Sequence, residues 1–443
     1  MQKLQLEKLK KQVKYCYDNS YFYRRKIEQA GIKKGTIGSF DEFRRIPPTD
    51  KDEHKESQAI SRKTSGHSYG EFVCAPLEKV IEISSTSGTS GEPTFYLSTL
   101  HDINVTNELW ARAYWRAGIR PGDTVLHAFG MSMVAVGPPV IQALKVMGAR
   151  PVPVGAEGGT TRILEMAEMT KPSAMITTPA LAEYLIEKAP EIIKKEVGRL
   201  GIKRIVCTGA PGAGLPDVRK KIEEAYGCKL YDSIGGGWGA MYISCDSEEY
   251  QGMHSVSDDY HIWYDLVDSN TKELLALTDG VRGEGIYTVL EWESAPPLRY
   301  AMKDVLQFET SPCPCGLPGF RLRVLGRADD MIIIKGVNVY PTAIKNVVNS
   351  FFPGTTGELR VVLGAPGPLV NPPLKLKIEY GEGTKSEEIE RLKKELEETM
   401  HSKLKFRPYI VMLPPNSLQR AAGPASKGIL IEKAYDNKKN QGK

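Results

Sequence analysis

The chain has 443 residues, is 41% apolar and 26% charged, and carries a net charge of +5. That length predicts two or three domains with ordinary cores, and no apolar run is long enough to cross a membrane. Much of the small charge excess sits in the tail EKAYDNKKNQGK, and no basic stripe is interleaved with aromatics, which argues against a nucleic-acid partner.

The N-terminal segment MQKLQLEKLKKQVKYCYDNSYFYRRKIEQAG is charged and reads as amphipathic helix, not as a signal peptide. Helices are expected to the end of RRIPPTD, followed by an irregular polar segment over 51–75. From there short β-branched runs alternate with helical stretches. KVIEIS, DTVLHAF, AMITTP and RIVCTG read as strands. INVTNELWARAYWRAG, PVIQALKVMGA and the stretches near 179–200 and 215–226 read as helices. Such alternation predicts an α/β fold, with parallel sheets covered by helices. Residues 255–325 are richer in strand (YHIWYDLVD, GIYTVLEW, FRLRVLG) and form a strand-rich subdomain. After LGRADD the character changes to a small α+β unit: the strand and turn MIIIKGVNVYP, the helix TAIKNVVNSFF, two strands, a charged helix and the strand YIVML. The reading is a large N-terminal domain over 1–326 and a small mobile C-terminal domain over 327–443.

Two glycine-rich stretches stand out. In KLYDSIGGGWGAMYISC, Gly235, Gly237 and Ala240 have the spacing of a dinucleotide-binding fingerprint, with Asp258 about twenty residues on. That fingerprint needs a helix opening directly after the glycines, and WGAMYISCDSEEYQG is not an amphipathic helix. SSTSGTSGEPT (84–94) follows a strand and is dense in hydroxyls and glycine, which suits an anion cradle of backbone N–H groups. It is not a Walker loop, because no lysine follows Gly91.

The order of the motifs resembles the adenylate-forming superfamily of acyl-CoA synthetases, adenylation domains and luciferases. SSTSGTSGEPT looks like its phosphate loop, CTGAPG (207–212) like its adenine-side loop, and YDSIGGGWG like its second aromatic-glycine motif. APPLRYAMKD (295–304) resembles the ribose motif, LGRADDMIIIKGVNVYP (325–341) the hinge and GPASKGIL (423–430) the C-terminal motif. Within the superfamily the chain looks most like the phenylacetate–CoA ligase branch, on NSYFYRRKIEQAGI, SSTSGTSGEPT and GRADDMIIIKGVNVYP. The resemblance covers nearly the whole chain.

It implies an AMP-forming acid–CoA ligase that uses ATP, Mg²⁺ and coenzyme A in a two-step reaction through an acyl-adenylate. Phosphoryl chemistry needs fixed donors and cations around developing charge. Carried onto this sequence, Ser87, Gly88, Thr89, Ser90 and Gly91 would hold the β,γ-phosphates. Gly209, Ala210, Pro211, Tyr231 and Asp232 would line the nucleotide. Asp304 would take both ribose hydroxyls, with Arg327 nearby and Asp329 as the hinge. Lys427 would bridge carboxylate and phosphate oxygens during adenylation, although here it precedes Gly428, where the usual order is glycine then lysine. Phe129, Gly130, Met131, Gly235, Gly236, Gly237 and Trp238 would form the acyl pocket, for a carboxylate with an aromatic or modest alkyl body.

The sequence departs from the superfamily at 234–238. Where an aromatic, a hydroxyl and a Mg²⁺-binding glutamate are usual, it has Ile234, Gly237 and Trp238. Two alternatives therefore stand beside the ligase. One passes its acyl or adenylyl group to a carrier protein, an enzyme thiol or a hydroxyl; the other is a catalytically impaired nucleotide- or acyl-binding relative. Cys245, His254, Cys313 and Cys315 offer three thiols and one imidazole, a donor set for a structural zinc ion. Cys16, Cys74, Cys207 and Cys228 read as apolar fillers. Seven cysteines without a regular framework fit a reducing cytoplasm. The partners expected are small molecules, not nucleic acid or membrane, with a homodimer left open.

Overall fold

Helices α1 (Gln2–Asn19) and α2 (Tyr21–Gln29) place Leu9, Val13, Cys16, Phe22, Tyr23 and Ile27 at helical spacing, and all six are buried together. Ser20 caps α2 by accepting from the Tyr23 N–H. Helix α3 (Phe40–Arg44) adds Phe43 to the same cluster, which is closed by Leu290, Ala295 and Leu298 from far along the chain. The structure is a computed structural model and describes residues 2–85, 93–133, 136–209, 212–235, 238, 241–256, 262–335, 337–419 and 430–435, with backbone alone at 262 and 263.

The irregular segment expected over 51–75 is instead helix α4 (Lys51–Thr64) for most of its length. Its buried face is polar: His54, Ser57, Gln58 and Ser61 recur at helical spacing, so an apolar periodicity has nothing to register. Its start is marked by a capping box, in which Asp50 accepts from the Glu53 backbone and the Glu53 side chain reaches back to the Asp50 N–H.

Strands β1 (Val80–Ser85) and β2 (Phe95–Thr99) pair antiparallel as a separate ribbon. Helix α5 (Leu100–Arg116) follows. Then come β3 (Thr124–His127), α6 (Pro138–Val146), β4 (Arg150–Pro153), α7 (Gly159–Thr170), β5 (Ala174–Thr177), α8 (Pro179–Ile192), β6 (Arg204–Cys207) and α9 (Pro216–Tyr226). β7 (Lys229–Gly235) completes a parallel set in the order β4-β3-β5-β6-β7. β5 is buried along its whole length and β3 and β6 nearly so, as strands covered on both faces should be. β4 and α7 are elements that the sequence reading did not single out.

The direction reverses at β8 (Met241–Ser244), antiparallel to β7. It is followed by β9 (Met253–Ser255), β10 (Ile262–Val267), β11 (Leu274–Leu275), β12 (Arg282–Val289), β13 (Tyr300–Glu309) and β14 (Arg321–Arg327). The expected parallel and strand-rich parts are thus hydrogen-bonded into one sheet of twelve strands, ordered β11-β10-β12-β13-β14-β9-β8-β7-β6-β5-β3-β4.

The remainder comprises the hairpin β15 (Ile332–Ile334) and β16 (Val337–Val339), α10 (Pro341–Asn349), β17 (Thr355–Leu363), β18 (Lys375–Tyr380), α11 (Ser386–Leu404), β19 (Tyr409–Leu413) and β20 (Ile431–Lys433). Its sheet runs β19-β18-β17-β20 and has an apolar cluster that includes Ile344, Val347, Leu359, Leu376 and Leu396. It meets the larger part where Tyr340 packs on Gly326, and where the Lys221 ammonium on α9 lies 4.3 Å from the centre of the Phe352 ring.

Candidate active site

Strands β13 and β14 bring three of the expected residues together. Asp304 and Arg327 are register partners, and an Arg327 Nη donates to Asp304 Oδ1 at 3.1 Å. The same guanidinium grips Asp329 with two bonds of 2.9 and 3.0 Å. Burial pushes the Asp329 carboxyl up, and Arg327 more than offsets it, leaving the pKa below the usual value. Burial also acts against the Arg327 charge, but its carboxylate partners raise its pKa overall. The arrangement is a carboxylate oriented by a fixed cation, at the point where β14 leaves the sheet for residues 328–330.

A few residues before Asp304, the Tyr300 ring lies 5.0 Å from that of Trp238, with Tyr96 4.6 Å from Trp238 on another side. His54 of α4 joins them, 5.0 Å from Tyr300 and stacked on Phe72 at 4.0 Å. Both His54 ring nitrogens are buried without a hydrogen-bond partner. Burial, assisted by Lys26, lowers its pKa to about 3, so it is a neutral ring. His54, Tyr96 and Tyr300 were not among the expected site residues. The capping box before α4 was the one signal in the sequence that could have brought His54 forward.

Phe129 and the loop after β3 lie against other expected residues. A Cβ on Gly209 would come within 2.7 Å of the Phe129 ring, and Gly209 has φ +75°, so a side chain there meets both a clash and an unfavourable backbone. Gly130 and Met131 follow, and the Glu157 carboxylate accepts from the backbone N–H of Met131 at 2.8 Å and of Ser132 at 3.0 Å. Ser85 N–H, at the end of β1, donates to the Met133 carbonyl at 2.6 Å. That contact brings the loop beside the point where the expected phosphate loop begins. Gly235 serves close packing: a Cβ there would stand 2.9 Å from Met241 Sδ and 3.1 Å from the Trp110 ring.

Tyr231 and Asp232 point to opposite faces of β7, as neighbours on a strand must. Tyr231 is buried and its hydroxyl donates to Asp246. Asp232 accepts from the Tyr250 hydroxyl at 2.7 Å beneath Gly214. Burial raises its pKa despite Tyr250 and Arg219. Ser87, Gly88, Thr89, Ser90, Gly91, Ala210, Pro211, Gly236, Gly237 and Lys427 lie outside the described residues.

The four candidate metal ligands converge from three places: Cys245 after β8, His254 on β9, and Cys313 and Cys315 in the β13–β14 connection. Their donor atoms all lie within 4.8 Å of one another. Cys245 Sγ is 3.7 Å from Cys313 Sγ, and Cys315 Sγ is 3.4 Å from His254 Nε2. A tetrahedron with Zn–S bonds of about 2.3 Å has S···S edges of about 3.8 Å and slightly shorter mixed edges, so the donor set fits such an ion. Burial, with Arg321 and Arg116 close by, lowers the His254 pKa to about 4, which keeps the ring neutral, as a ligand must be. A cavity of about 480 Å³ opens beside Cys245, Cys315, Arg116 and Glu248. No helix among the described residues is long and apolar enough to cross a membrane.

Comparison with known proteins gives this geometry a family. Residues 336–429 match the AMP-binding enzyme C-terminal domain. The phenylacetate-coenzyme A ligase of Thermus thermophilus is 30% identical over 96% of this chain and 95% of its own length. Among solved structures, 2-hydroxyisobutyryl-CoA ligase in the postadenylation state, in complex with R3-HIB-AMP, superposes with a TM-score of 0.86 at 28% identity, covering 98% of this chain and 90% of its own. The same enzyme in the thioesterification state, with 2-HIB-AMP and CoA, covers 99% and 91% but scores 0.68 at 29% identity. The chain therefore belongs to the phenylacetate–CoA ligase-like branch of the adenylate-forming superfamily, and is an ATP-dependent, AMP-forming acid–CoA ligase.

Proposed function

We propose that the enzyme activates a short carboxylic acid with an aromatic or modest alkyl body and transfers it to coenzyme A. The observation that carries this reading is a juxtaposition on one strand. Tyr300, part of the aromatic wall with Trp238 and Tyr96, and Asp304, held by Arg327, both lie on β13. The acyl and nucleotide halves of an adenylate would meet there. A wall of rings offers a flat apolar surface to a short acid and little length to a long chain. The relatives named above, a phenylacetate and a 2-hydroxyisobutyrate enzyme, support that size range.

In this reading a carboxylate oxygen bonds to the α-phosphorus of ATP and pyrophosphate leaves. The thiol sulfur of coenzyme A then bonds to the acyl carbon, and AMP leaves. Ser87, Gly88, Thr89, Ser90 and Gly91 hold the leaving phosphates, Asp304 the ribose hydroxyls, and Lys427 the oxygens gathered around the α-phosphate. Residues 1–326 and 327–443 act as two domains that rotate about Asp329 between the steps. The higher score against a postadenylation structure supports reading the present arrangement as the adenylation side of that cycle. Mg²⁺ accompanies the phosphates. Cys245, His254, Cys313 and Cys315 hold a structural Zn²⁺, since four protein ligands leave no open position for chemistry.

The test is AMP release from ATP with a panel of acids, with and without coenzyme A. Turnover should peak with acids about the size of phenylacetate or 2-hydroxyisobutyrate and should require coenzyme A. Preference for a long-chain fatty acid, or equal turnover without coenzyme A, would overturn the reading.

A further inference from the structure

Asp304 sits on a distorted part of β13. Opposite β12, Ala301 pairs with Ile286 and Val305 with Glu284, so residues 302–304 stand against Gly285 alone. Bulges of this kind re-aim a side chain near functional sites. Within this bulge Lys303 adopts φ +63°, a left-handed conformation that costs energy for any residue with a Cβ. Something must hold it. The Lys303 ammonium lies 3.5 Å from Asp50 Oδ2 and 3.4 Å from Asp52 Oδ2, both at the start of α4.

Asp50 divides its work. Its Oδ1 accepts from the backbone N–H groups of Asp52 and Glu53, each at 3.0 Å, and so caps the helix. Its Oδ2 faces Lys303. The preceding residue, Thr49, is stitched to β13 on both sides of Tyr300: its N–H donates to the Arg299 carbonyl and its carbonyl accepts from the Ala301 N–H, each at 2.8 Å. The N-terminus of α4 is therefore fixed to the strand just before the bulge, and the ion pairs tie it to the bulge itself.

The same helix reaches further along the site. One turn on, His54 packs on Tyr300 and, more distantly, Trp238. After another turn, Gln58 donates to the Pro93 carbonyl at 3.0 Å and accepts from the Phe95 N–H at 3.1 Å, which pins the start of β2. A single helix thus touches the ribose-side bulge, the aromatic wall and the strand that follows residues 86–92.

We infer that Lys303 and Asp50 are positioning residues, a clamp through which α4 aims the Asp304 carboxylate at the ribose of ATP. The inference rests on reading Asp304 as the ribose-binding residue, and the experiment separates the two. Three variants of the full chain are compared with the native enzyme. Lys303→Gly relaxes the left-handed backbone while removing the tether. Asp50→Asn keeps a competent N-cap while removing the charge. Lys303→Arg restores the tether.

Each enzyme is assayed for adenylation with ATP and with 2′,3′-dideoxy-ATP. The native enzyme should have a KM for ATP at least about tenfold below that for the dideoxy analogue. In Lys303→Gly and Asp50→Asn the KM for ATP should rise several-fold and this preference should collapse, with the KM for the acid and the rate of thioester formation from saturating preformed adenylate unchanged. Lys303→Arg should recover most of the preference. A native enzyme that does not distinguish the two nucleotides would remove the ribose reading of Asp304 and the clamp with it. A native preference that both tether variants retain in full would overturn the clamp alone. A lower melting temperature with unchanged preference would show that the ion pairs serve stability only.

Discussion

Replacing His54 by phenylalanine should remove a specific acid sensitivity from the fold. His54 is fully buried, both ring nitrogens lack partners, and its pKa is lowered from 6.5 to about 3, by burial first and then by Lys26. In the unfolded chain the ring takes up a proton below about pH 6.5, whereas in the folded chain it does so only near pH 3. The stability conferred by the neutral ring is therefore whole above pH 6.5 and is lost progressively as the pH falls toward the folded value. The slope is about 1.4 kcal/mol per pH unit. Between pH 7.5 and 5.0 this one residue should cost about 2 kcal/mol. His127 and His254 are also lowered, each to about 4, but they titrate alike in both proteins and cancel in the difference. The assay is urea unfolding of native enzyme and His54→Phe at several pH values, followed by tryptophan fluorescence; Trp238, 6.3 Å from His54, is a local probe. The stability difference between the two proteins should shift by about 2 kcal/mol in favour of the variant on going from pH 7.5 to 5.0. A difference that stays constant with pH would show that His54 is not held as a neutral ring.

Gly235→Ala should destabilise the fold by about 1–3 kcal/mol, because its Cβ would press on Met241 and on the fully buried Trp110; an unchanged melting temperature would refute the packing argument. Enzyme purified without added zinc should carry about one zinc per chain by elemental analysis, and Cys313→Ser should carry far less; a metal-free, stably folded native chain would remove the metal site. Lys427→Ala should slow adenylation on the order of a hundredfold or more while leaving thioester formation from preformed adenylate largely intact. Equal loss in both half-reactions would show that another residue holds the α-phosphate oxygens.

Periodicity found the elements that carry apolar stripes. β3, β5 and β6 are short β-branched or apolar runs, and α5 and α11 bury residues at helical spacing, so each could be located within a few positions. Helix α4 escaped because the stripe it buries consists of His54, Ser57, Gln58 and Ser61. Ser57, Gln58 and Ser61 are satisfied by hydrogen bonds to backbone of the segments packed against the helix, while His54 packs among aromatic rings, and hydropathy records neither. The capping box at Asp50 and Glu53 was the available sign. Motif order supplied Asp304, Arg327 and Asp329 as a group, and the cysteine–histidine set was legible from its donor chemistry together with the resemblance to the phenylacetate–CoA ligase branch, the spacing alone being a weak signal. Tyr96 and Tyr300 were not, because a tyrosine on a strand looks the same in sequence whether it faces a core or a site. Their meeting with Trp238 depends on how β2, β13 and the β7–β8 turn fold back on one another.

The absence of the usual glutamate at position 238 takes on a different sense in this setting. Trp238 is buried among Tyr96, Tyr300, Tyr287 and a neutral His54. A carboxylate among these rings would lose its hydration, and a buried charge left uncompensated costs several kcal/mol. Tryptophan and its aromatic neighbours are therefore one arrangement: the cluster takes a ring where the superfamily resemblance leads one to expect an acid. Mg²⁺ needs only one or two carboxylates when substrate phosphates and water complete its shell, so losing one ligand does not by itself remove adenylation. The residues proposed above to orient the nucleotide side, Asp304 with Arg327 and the Lys303–Asp50 contact behind it, hold one another through their own ion pairs. On the function proposed above, the substitution belongs to the construction of an acyl pocket, not to the decay of a catalytic one.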